Sequence, residues 1–343
     1  MARVVGDFGS VMSSALVVIG DKLGLYKAMA GAGPLTPAEL ARHTATSERY
    51  VRDWLVNQAA SGYVEYDPLT GRYALPDEHA LALADEDSPA FVAGGFQNLT
   101  AIIKAEPRIA EAMRSGGGLL WGEHDPGVFE GTERFFRPLY AANLVTNWIP
   151  ALDGVEAKLA AGATVADVGC GHGASTIILA RAYPRSRFFG FDNHAPSIAR
   201  ARQAAAEAGL GERVVFEVAE TNGYPGGDYD LIAFFDCFHD LGDPVGAARH
   251  AHAALAPDGA LLVVEPMAGE RVEDNLNPVG RIFSAASVLI CTPNALASGA
   301  SADTALGTIA TEERLRAVLA AGGFSRFRRA TSTPFNRVFE VRK

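Results

Sequence analysis

The sequence predicts a two-part chain: an α-helical winged-helix domain, then an α/β domain on a mostly parallel sheet that ends in an antiparallel hairpin. Three observations predict this. From Thr164 onward, short apolar runs alternate with helical patterns, as in a parallel sheet covered by helices on both faces. The last two runs, near Phe324–Ala330 and Phe335–Val341, are separated by only a few residues around Pro334, which suits a hairpin and not a crossover. Near the N-terminus, two helical patterns precede Tyr63–Tyr66 and Arg72–Leu75, which flank a turn at Asp67–Gly71. A helix-turn-helix followed by a hairpin is a winged helix.

The elements follow in order. Ala15–Met29 has helical apolar spacing with Gly24 inside it. Thr36-Pro37-Ala38-Glu39 is a capping box with proline at the first helical position, so a helix starts there. Ser47 caps another helix with Val51, Leu55 and Ala59 on one face, and Gly62 ends it. Residues 88–160 read as a helical connector rich in aromatics, among them Phe91, Trp121, Tyr140 and Trp148, which either fill a core or form a lid over a pocket. Strands are then expected at Val165–Val168, Phe188–Asp192, Arg213–Ala219, Tyr229–Asp236 and Ala260–Glu265. The helices between and after them are Ala174–Tyr183, Pro196–Gly209, Pro244–Leu255 and Thr311–Ala321. The domain boundaries are 1–87, 88–160 and 161–343.

Composition bounds the partners. With 30 basic and 40 acidic residues the net charge is −10, which argues against nucleic acid as a main partner. The three cysteines, Cys170, Cys237 and Cys291, form no CxxC pair, so neither a disulfide framework nor a structural zinc cluster is expected. No stretch reads as long and apolar enough to span a membrane, and Met1–Asp7 has no leader pattern. A cytoplasmic protein is the expectation.

The strongest local signal is Asp167-Val168-Gly169-Cys170-Gly171-His172-Gly173, after a strand and before a helix. Glycines let the backbone turn tightly and approach a ligand, and ligands sit at the carboxyl ends of parallel strands. The spacing is GxGxG and not the GxGxxG of dinucleotide sites. Ser175 and Thr176 stand where a phosphate loop needs Lys and then Ser or Thr, so a pyrophosphate cradle and an NAD-dependent oxidoreductase are disfavoured. Asp192, with Asn193 beside it, ends the next strand and can accept from two ribose hydroxyls, or else cap the following helix. Glu220 follows the third strand and can meet an adenine amino group or water. Asp236-Cys237 ends the fourth.

As a set, Asp167–Gly173, Asp192, Glu220 and Asp236 resemble the S-adenosylmethionine (SAM) motifs of class I methyltransferases. With the winged helix and the closing hairpin, nearly the whole chain is similar to small-molecule O-methyltransferases of plants and actinobacteria. Phe235–Asp240 and Ile290–Asn294 tie it to actinobacterial winged-helix members. The resemblance implies a SAM cofactor, with S-adenosylhomocysteine (SAH) as product. Asp167, Gly169, Gly171, Asp192, Asn193, Glu220, Asp236 and Cys237 would hold it. It also implies a homodimer formed through the winged helix, a small-molecule acceptor, and neither nucleic acid nor membrane as partner.

Methyl transfer to a hydroxyl needs a base, and His239, just after the fourth strand, titrates near working pH. In the related enzymes a His-Asp pair stands here with that His as base, and Glu265 matches the acid that orients it. Their second acid has no counterpart around Ala295–Ala297. Two alternatives use the same residues. One is metal-assisted C-methylation of a keto acid, with His239 and Asp240 as ligands and Cys291 nearest to a third. The other is a SAM-sensing, DNA-binding regulator, which needs basic residues on the Ser47–Ser61 helix and the wing; Arg49 and Arg52 on the helix and Arg72 on the wing are balanced by Glu48, Asp53, Glu65 and Asp67. No metal is expected in the leading reading. Asn275, Asn277 and Arg281, after the fifth strand, read as pocket wall or as helix caps.

Overall fold

The computed structural model describes residues 1–343 as two compact units. The first comprises Met1–Ala101 and Pro126–Leu139, the second Ile102–Asp125 and Tyr140–Lys343. The stretch 88–160 is therefore not a body of its own, because its segments are shared between the two units.

In the first unit, Ala2–Lys22 is one continuous helix, and Gly24, at φ 69°, separates it from a short helix, Leu25–Met29. The sequence reading started this helix at Ala15, since Gly6, Gly9, Ser10, Ser13 and Ser14 weaken the signal upstream. An 18-residue window of this helix has a mean hydropathy of 1.5 with 22% of it buried, and one in the helical stretch Pro278–Ala297 reaches 1.3 with 39% buried. Both are long and apolar enough to cross a membrane by length and composition, which corrects the expectation that no stretch comes near a span. The helices Pro37–Thr44 and Glu48–Ala60 follow, the first with both capping-box bonds made by Thr36 and Glu39. Strands β1 (Glu65–Asp67) and β2 (Arg72–Ala74) pair antiparallel as the wing. Val17, Leu25, Tyr26, Leu40, Val51, Trp54 and Leu55 form the core, in which the buried Tyr26 hydroxyl donates to Gln58 Oε1 at 2.5 Å. Pro126–Leu139 packs on this unit backbone to backbone: a Cβ at Gly131 would lie 2.4 Å from Asn98 N, and one at Gly94 2.7 Å from the Arg134 carbonyl carbon. Arg134 pays part of its desolvation by pairing with Asp21 at 2.7 Å.

The second unit is built on a seven-stranded sheet. Its strands are β3 (Thr164–Val168), β4 (Arg187–Asp192), β5 (Val214–Val218), β6 (Tyr229–Phe235), β7 (Leu255–Pro266), β8 (Arg326–Ser332) and β9 (Asn336–Arg342), in the order β5-β4-β3-β6-β7-β9-β8. The first five are mutually parallel, while β7–β9 and β9–β8 are antiparallel. β3, β6 and β7 are almost wholly buried and read as continuous apolar runs, as strands covered on both faces must. β7 begins at Leu255 and runs through Pro257-Asp258-Gly259, which the sequence marked as a turn; a register shift against β6 at Tyr229/Leu231 absorbs the irregularity. Strand order reverses between β3 and β6, the point at which an open α/β sheet leaves a crevice at its carboxyl edge.

Candidate active site

The carboxyl ends of β5, β4, β3, β6 and β7 lie side by side, so the sheet brings all ten site residues from the sequence to one edge. Gly169 N and Cys170 N donate to Phe191 O at 2.7 and 3.0 Å, which ties the glycine loop to β4. Gly169, Gly171 and Gly173 have φ of 75°, 51° and 80°, a region that L side chains rarely adopt. A Cβ on Gly169 would sit 2.6 Å from Cys237 Sγ, whereas beside Gly171 there is open space. The loop thus needs glycine for two reasons, contact at the first position and clearance at the second.

Asp167 is buried under this loop. Ser175 Oγ and Thr176 Oγ1 each donate to its Oδ2 at 2.6 Å, and its Oδ1 has no partner. Burial raises its pKa to about 6 despite those two bonds. Ser175 and Thr176 entered the sequence reading only as an argument against a phosphate loop; their role here is to orient Asp167. Asp192 accepts from Gly171 N and His194 N, both at 2.9 Å, and burial raises its pKa as well. The helix Ala195–Glu207 has no side-chain cap, so Asp192 closes a turn and does not cap that helix. Asn193 and Glu220 are exposed and meet each other at 3.3 Å.

Asp236 has φ 51°. Its Oδ2 accepts from the Tyr140 hydroxyl at 2.9 Å and its Oδ1 from Asn336 Nδ2 at 2.7 Å. Burial first, then Glu265, raises its pKa to about 7. With both oxygens engaged, Asp236 holds the strand end in place. Cys237 Sγ donates to Val168 O at 3.2 Å, so this thiol packs the turn after β6 against the glycine loop.

That turn carries His239 and Asp240, both buried. His239 Nδ1 lies 3.0 Å from Glu265 Oε2, inside the protein, and Glu265 Oε1 has no partner. Burial pulls the imidazole pKa down, but Glu265 and the Cys291 thiol, hydrogen-bonded to the ring, outweigh it and raise it well above its usual value. Cys291 thus stands beside His239, with one potential ligand atom of each within 4.8 Å of the other. Asp240 Oδ2 accepts from Trp121 Nε1 at 2.6 Å, Asn294 Nδ2 donates to Asp240 O at 2.9 Å, and Trp121 N donates to Asn294 Oδ1 at 3.0 Å. This closed triangle fixes the turn. Beside Glu265 in register stands Arg337 of β9, fully buried, whose Nε and Nη2 donate to Pro266 O and Ala310 O at 2.9 Å each. Sequence reasoning missed Tyr140, Asn336, Trp121, Asn294 and Arg337 as partners of the site. Each lies 26 or more residues from its partner, so no local pattern points to it.

One atom each of His239, Asp240 and Cys291 falls within 4.8 Å of the others, as a metal site would require. The donors fit a metal poorly. One nitrogen of His239 and one oxygen of Asp240 are already bonded, and burial raises the Cys291 thiol above its ordinary range when a metal needs the thiolate. Asn275 and Asn277 serve the backbone: Asn275 Oδ1 accepts from Gly269 N, and Asn277 caps the helix Pro278–Ala286.

Comparison with known proteins agrees with this layout. Residues 11–85 match an Rv2258c-like winged helix-turn-helix domain and residues 159–317 a methyltransferase domain, so the chain carries these two domains in that order. The 27-O-demethylrifamycin SV methyltransferase of Amycolatopsis mediterranei (strain S699) is 30% identical over 131 residues, covering 36% of this chain and 48% of that protein. The chain spans about half the length of the curated relatives it matches. A Nostoc punctiforme protein provisionally assigned as an O-methyltransferase superposes at TM-score 0.77 with 21% identity, over 100% of this chain and 98% of that one. Human N-acetylserotonin methyltransferase in complex with SAM superposes at 0.70 with 19% identity, over 100% and 97%. The fold is that of these proteins.

Proposed function

We propose that the protein transfers a methyl group from SAM to a hydroxyl of a small molecule, with His239 as general base. The observation that carries this is the buried His239–Glu265 pair at 3.0 Å, on the turn that packs against the glycine loop through Cys237. The residues suit the cofactor. Asp167 Oδ1 is buried without a partner, and Gly171 borders open space. When bound, SAM supplies an electrophilic methyl on a sulfonium. Asp192 would take its ribose and Glu220 its adenine in this reading. His239, its Nδ1 side fixed by Glu265, presents Nε2 to the acceptor and takes its proton. Holding the acceptor in line behind the methyl is the larger part of the catalysis.

The winged helix serves a second copy and not DNA in this reading. Its Arg49 and Arg52 pair with Asp53 and Glu48 of the same helix at 2.5 Å, and Arg72 pairs with Glu39. The helix Ala2–Lys22 exposes Val4, Val5, Phe8, Val11 and Met12, an apolar face suited to burial between two copies.

Calorimetric titration with SAH tests the cofactor assignment. One-to-one binding that Asp192→Ala abolishes is expected, and a folded protein that binds neither SAH nor SAM would refute it. Transfer of labelled methyl to a panel of phenols and enols then tests the acceptor class.

A further inference from the structure

Left-handed backbone is uncommon in an L residue and persists where the surroundings hold it, often at functional sites. In the second unit, Asp228 and Asp236 adopt it, at φ 54° and 51°. Asp228 sits in an exposed loop. Asp236 sits where the chain leaves the sheet to form the turn that carries His239. Its N–H still donates to Val264 O at 2.8 Å, as a rung between β6 and β7 would, and its φ then turns the chain away. Each residue that follows is pinned. Cys237 Sγ meets Val168 O at 3.2 Å, and Phe238 packs edge to face on Phe234 with ring centroids 5.3 Å apart. His239 meets Glu265 at 3.0 Å, its carbonyl accepts from Gly307 N at 2.9 Å, and Trp121 and Asn294 hold Asp240. The direction in which the turn starts, and so where the imidazole lies, is set at Asp236.

Glycine takes this conformation without steric cost, so the turn by itself does not call for aspartate. The carboxylate explains it. One oxygen accepts from the Tyr140 hydroxyl at 2.9 Å and the other from Asn336 Nδ2 at 2.7 Å. Both donors are themselves held. The Tyr140 ring packs on Phe235 and Trp148, with centroids 5.6 and 5.9 Å away. Asn336 is fully buried, exchanges bonds with Thr333 at 2.8 and 2.9 Å, and pairs with Pro266 in register. We propose that Tyr140 and Asn336 are positioning residues for His239, acting through Asp236, and that the Asp236 carboxylate serves this anchoring and not the cofactor. The inference rests on the methyl-transfer reading above, in which His239 takes the acceptor's proton. It also revises the role that the family resemblance implies for Asp236. General-base transfer depends on a fixed geometry, and a small displacement of the reacting groups costs much of the rate.

Three variants of the full chain test this. Tyr140→Phe removes one hydroxyl and keeps the ring packing. Asp236→Gly keeps the backbone conformation and removes both anchors. Asp236→Asn keeps both, because Asn336 can donate to the new amide oxygen and the Tyr140 hydroxyl can turn to accept from the amide nitrogen. The readout is the NMR signal of the His239 Nδ1 proton shared with Glu265, in protein labelled with 15N-histidine and bound to SAH, assigned by its loss in His239→Asn. The signal should move or broaden in Tyr140→Phe and Asp236→Gly and return to the wild-type position in Asp236→Asn. Calorimetry should show SAH binding to Tyr140→Phe within about threefold of wild type. With an acceptor from the phenol and enol panel, kcat should fall by about 10–100-fold in Tyr140→Phe and Asp236→Gly with the SAM KM unchanged. An unmoved signal in Asp236→Gly would overturn the proposal, as would the absence of a shared-proton signal in the wild type. So would equal changes in Asp236→Gly and Asp236→Asn, which would assign the effect to charge. Loss of SAH affinity by about tenfold or more in Asp236→Asn would make the carboxylate a cofactor contact and overturn it too. If Asp236→Gly does not fold, an unmoved signal in Tyr140→Phe decides against it. A wild-type protein that binds no SAH would overturn the SAM reading itself, which is a different outcome.

Discussion

Gly169→Ala probes the glycine loop without an acceptor in hand. Two costs can be read from the structure. The native φ of 75° is strained for an L residue, at about 1–2 kcal/mol. The new Cβ would lie 2.6 Å from Cys237 Sγ and 3.1 Å from Cys237 Cβ, an overlap that costs about 1–3 kcal/mol unless the turn moves. Alanine also restrains the unfolded chain and returns about 0.4–1 kcal/mol. The net expectation is a loss of about 1.5–4 kcal/mol, measured by urea unfolding, together with weakened SAH binding as the loop and the His239 turn are pushed apart. Cys237→Ala separates the two costs. Alone it should destabilise by about 1 kcal/mol, through lost packing and the lost contact with Val168 O. In the Gly169→Ala background it removes the closest contact, so the pair should be coupled by about 1–2 kcal/mol. A Gly169→Ala protein within about 0.5 kcal/mol of wild type with unchanged SAH affinity, or a cycle that closes additively, would refute the reasoning.

Three further predictions concern charge, catalysis and assembly. Asp167, Asp236 and Asp240 are held by burial at about 6, 7 and 6, against 3.8 for a free carboxyl. A carboxyl raised in the folded state stabilises most below its unfolded pKa, and that contribution is lost as pH rises through the folded one. Stability should therefore fall between about pH 4 and pH 7, by at most about 1.4 kcal/mol per unit for each titrating group, and Asp236→Asn should flatten the upper part of that slope in urea midpoints taken across the range. His239→Ala should keep SAH affinity while losing about 10²–10⁴ in transfer rate to an acceptor found by screening; full activity in that variant would remove the base assignment. Phe8→Glu, on the exposed face of the first helix, should shift the sedimentation mass from dimer to monomer, and a wild type already monomeric at high concentration would remove the dimer proposal.

Much of this protein follows from local pattern. Alternating apolar runs and helical spacing are properties of neighbouring residues, so β3 to β7 and the helices between them were legible to within a few residues. The Thr36–Glu39 capping box and the terminal hairpin were legible for the same reason. The glycine loop, Asp192, Asp236 and His239 were legible because a chain that turns at the end of each parallel strand must place those turns along one edge. Tertiary structure decided what those residues do there. Asp236 is engaged by Tyr140 and Asn336, which lie 96 and 100 positions away in sequence. Trp121 reaches Asp240 over 119 positions, and Arg337 stands beside Glu265 only because β9 runs antiparallel to β7 in one register. Tertiary structure also showed that Ala2–Lys22 is a single helix with an exposed apolar face. The cause is the same throughout. Backbone conformation is set by groups a few residues apart, whereas a buried charge is set by whatever the fold brings to it, and solvation and Coulomb energy depend on that three-dimensional neighbourhood alone.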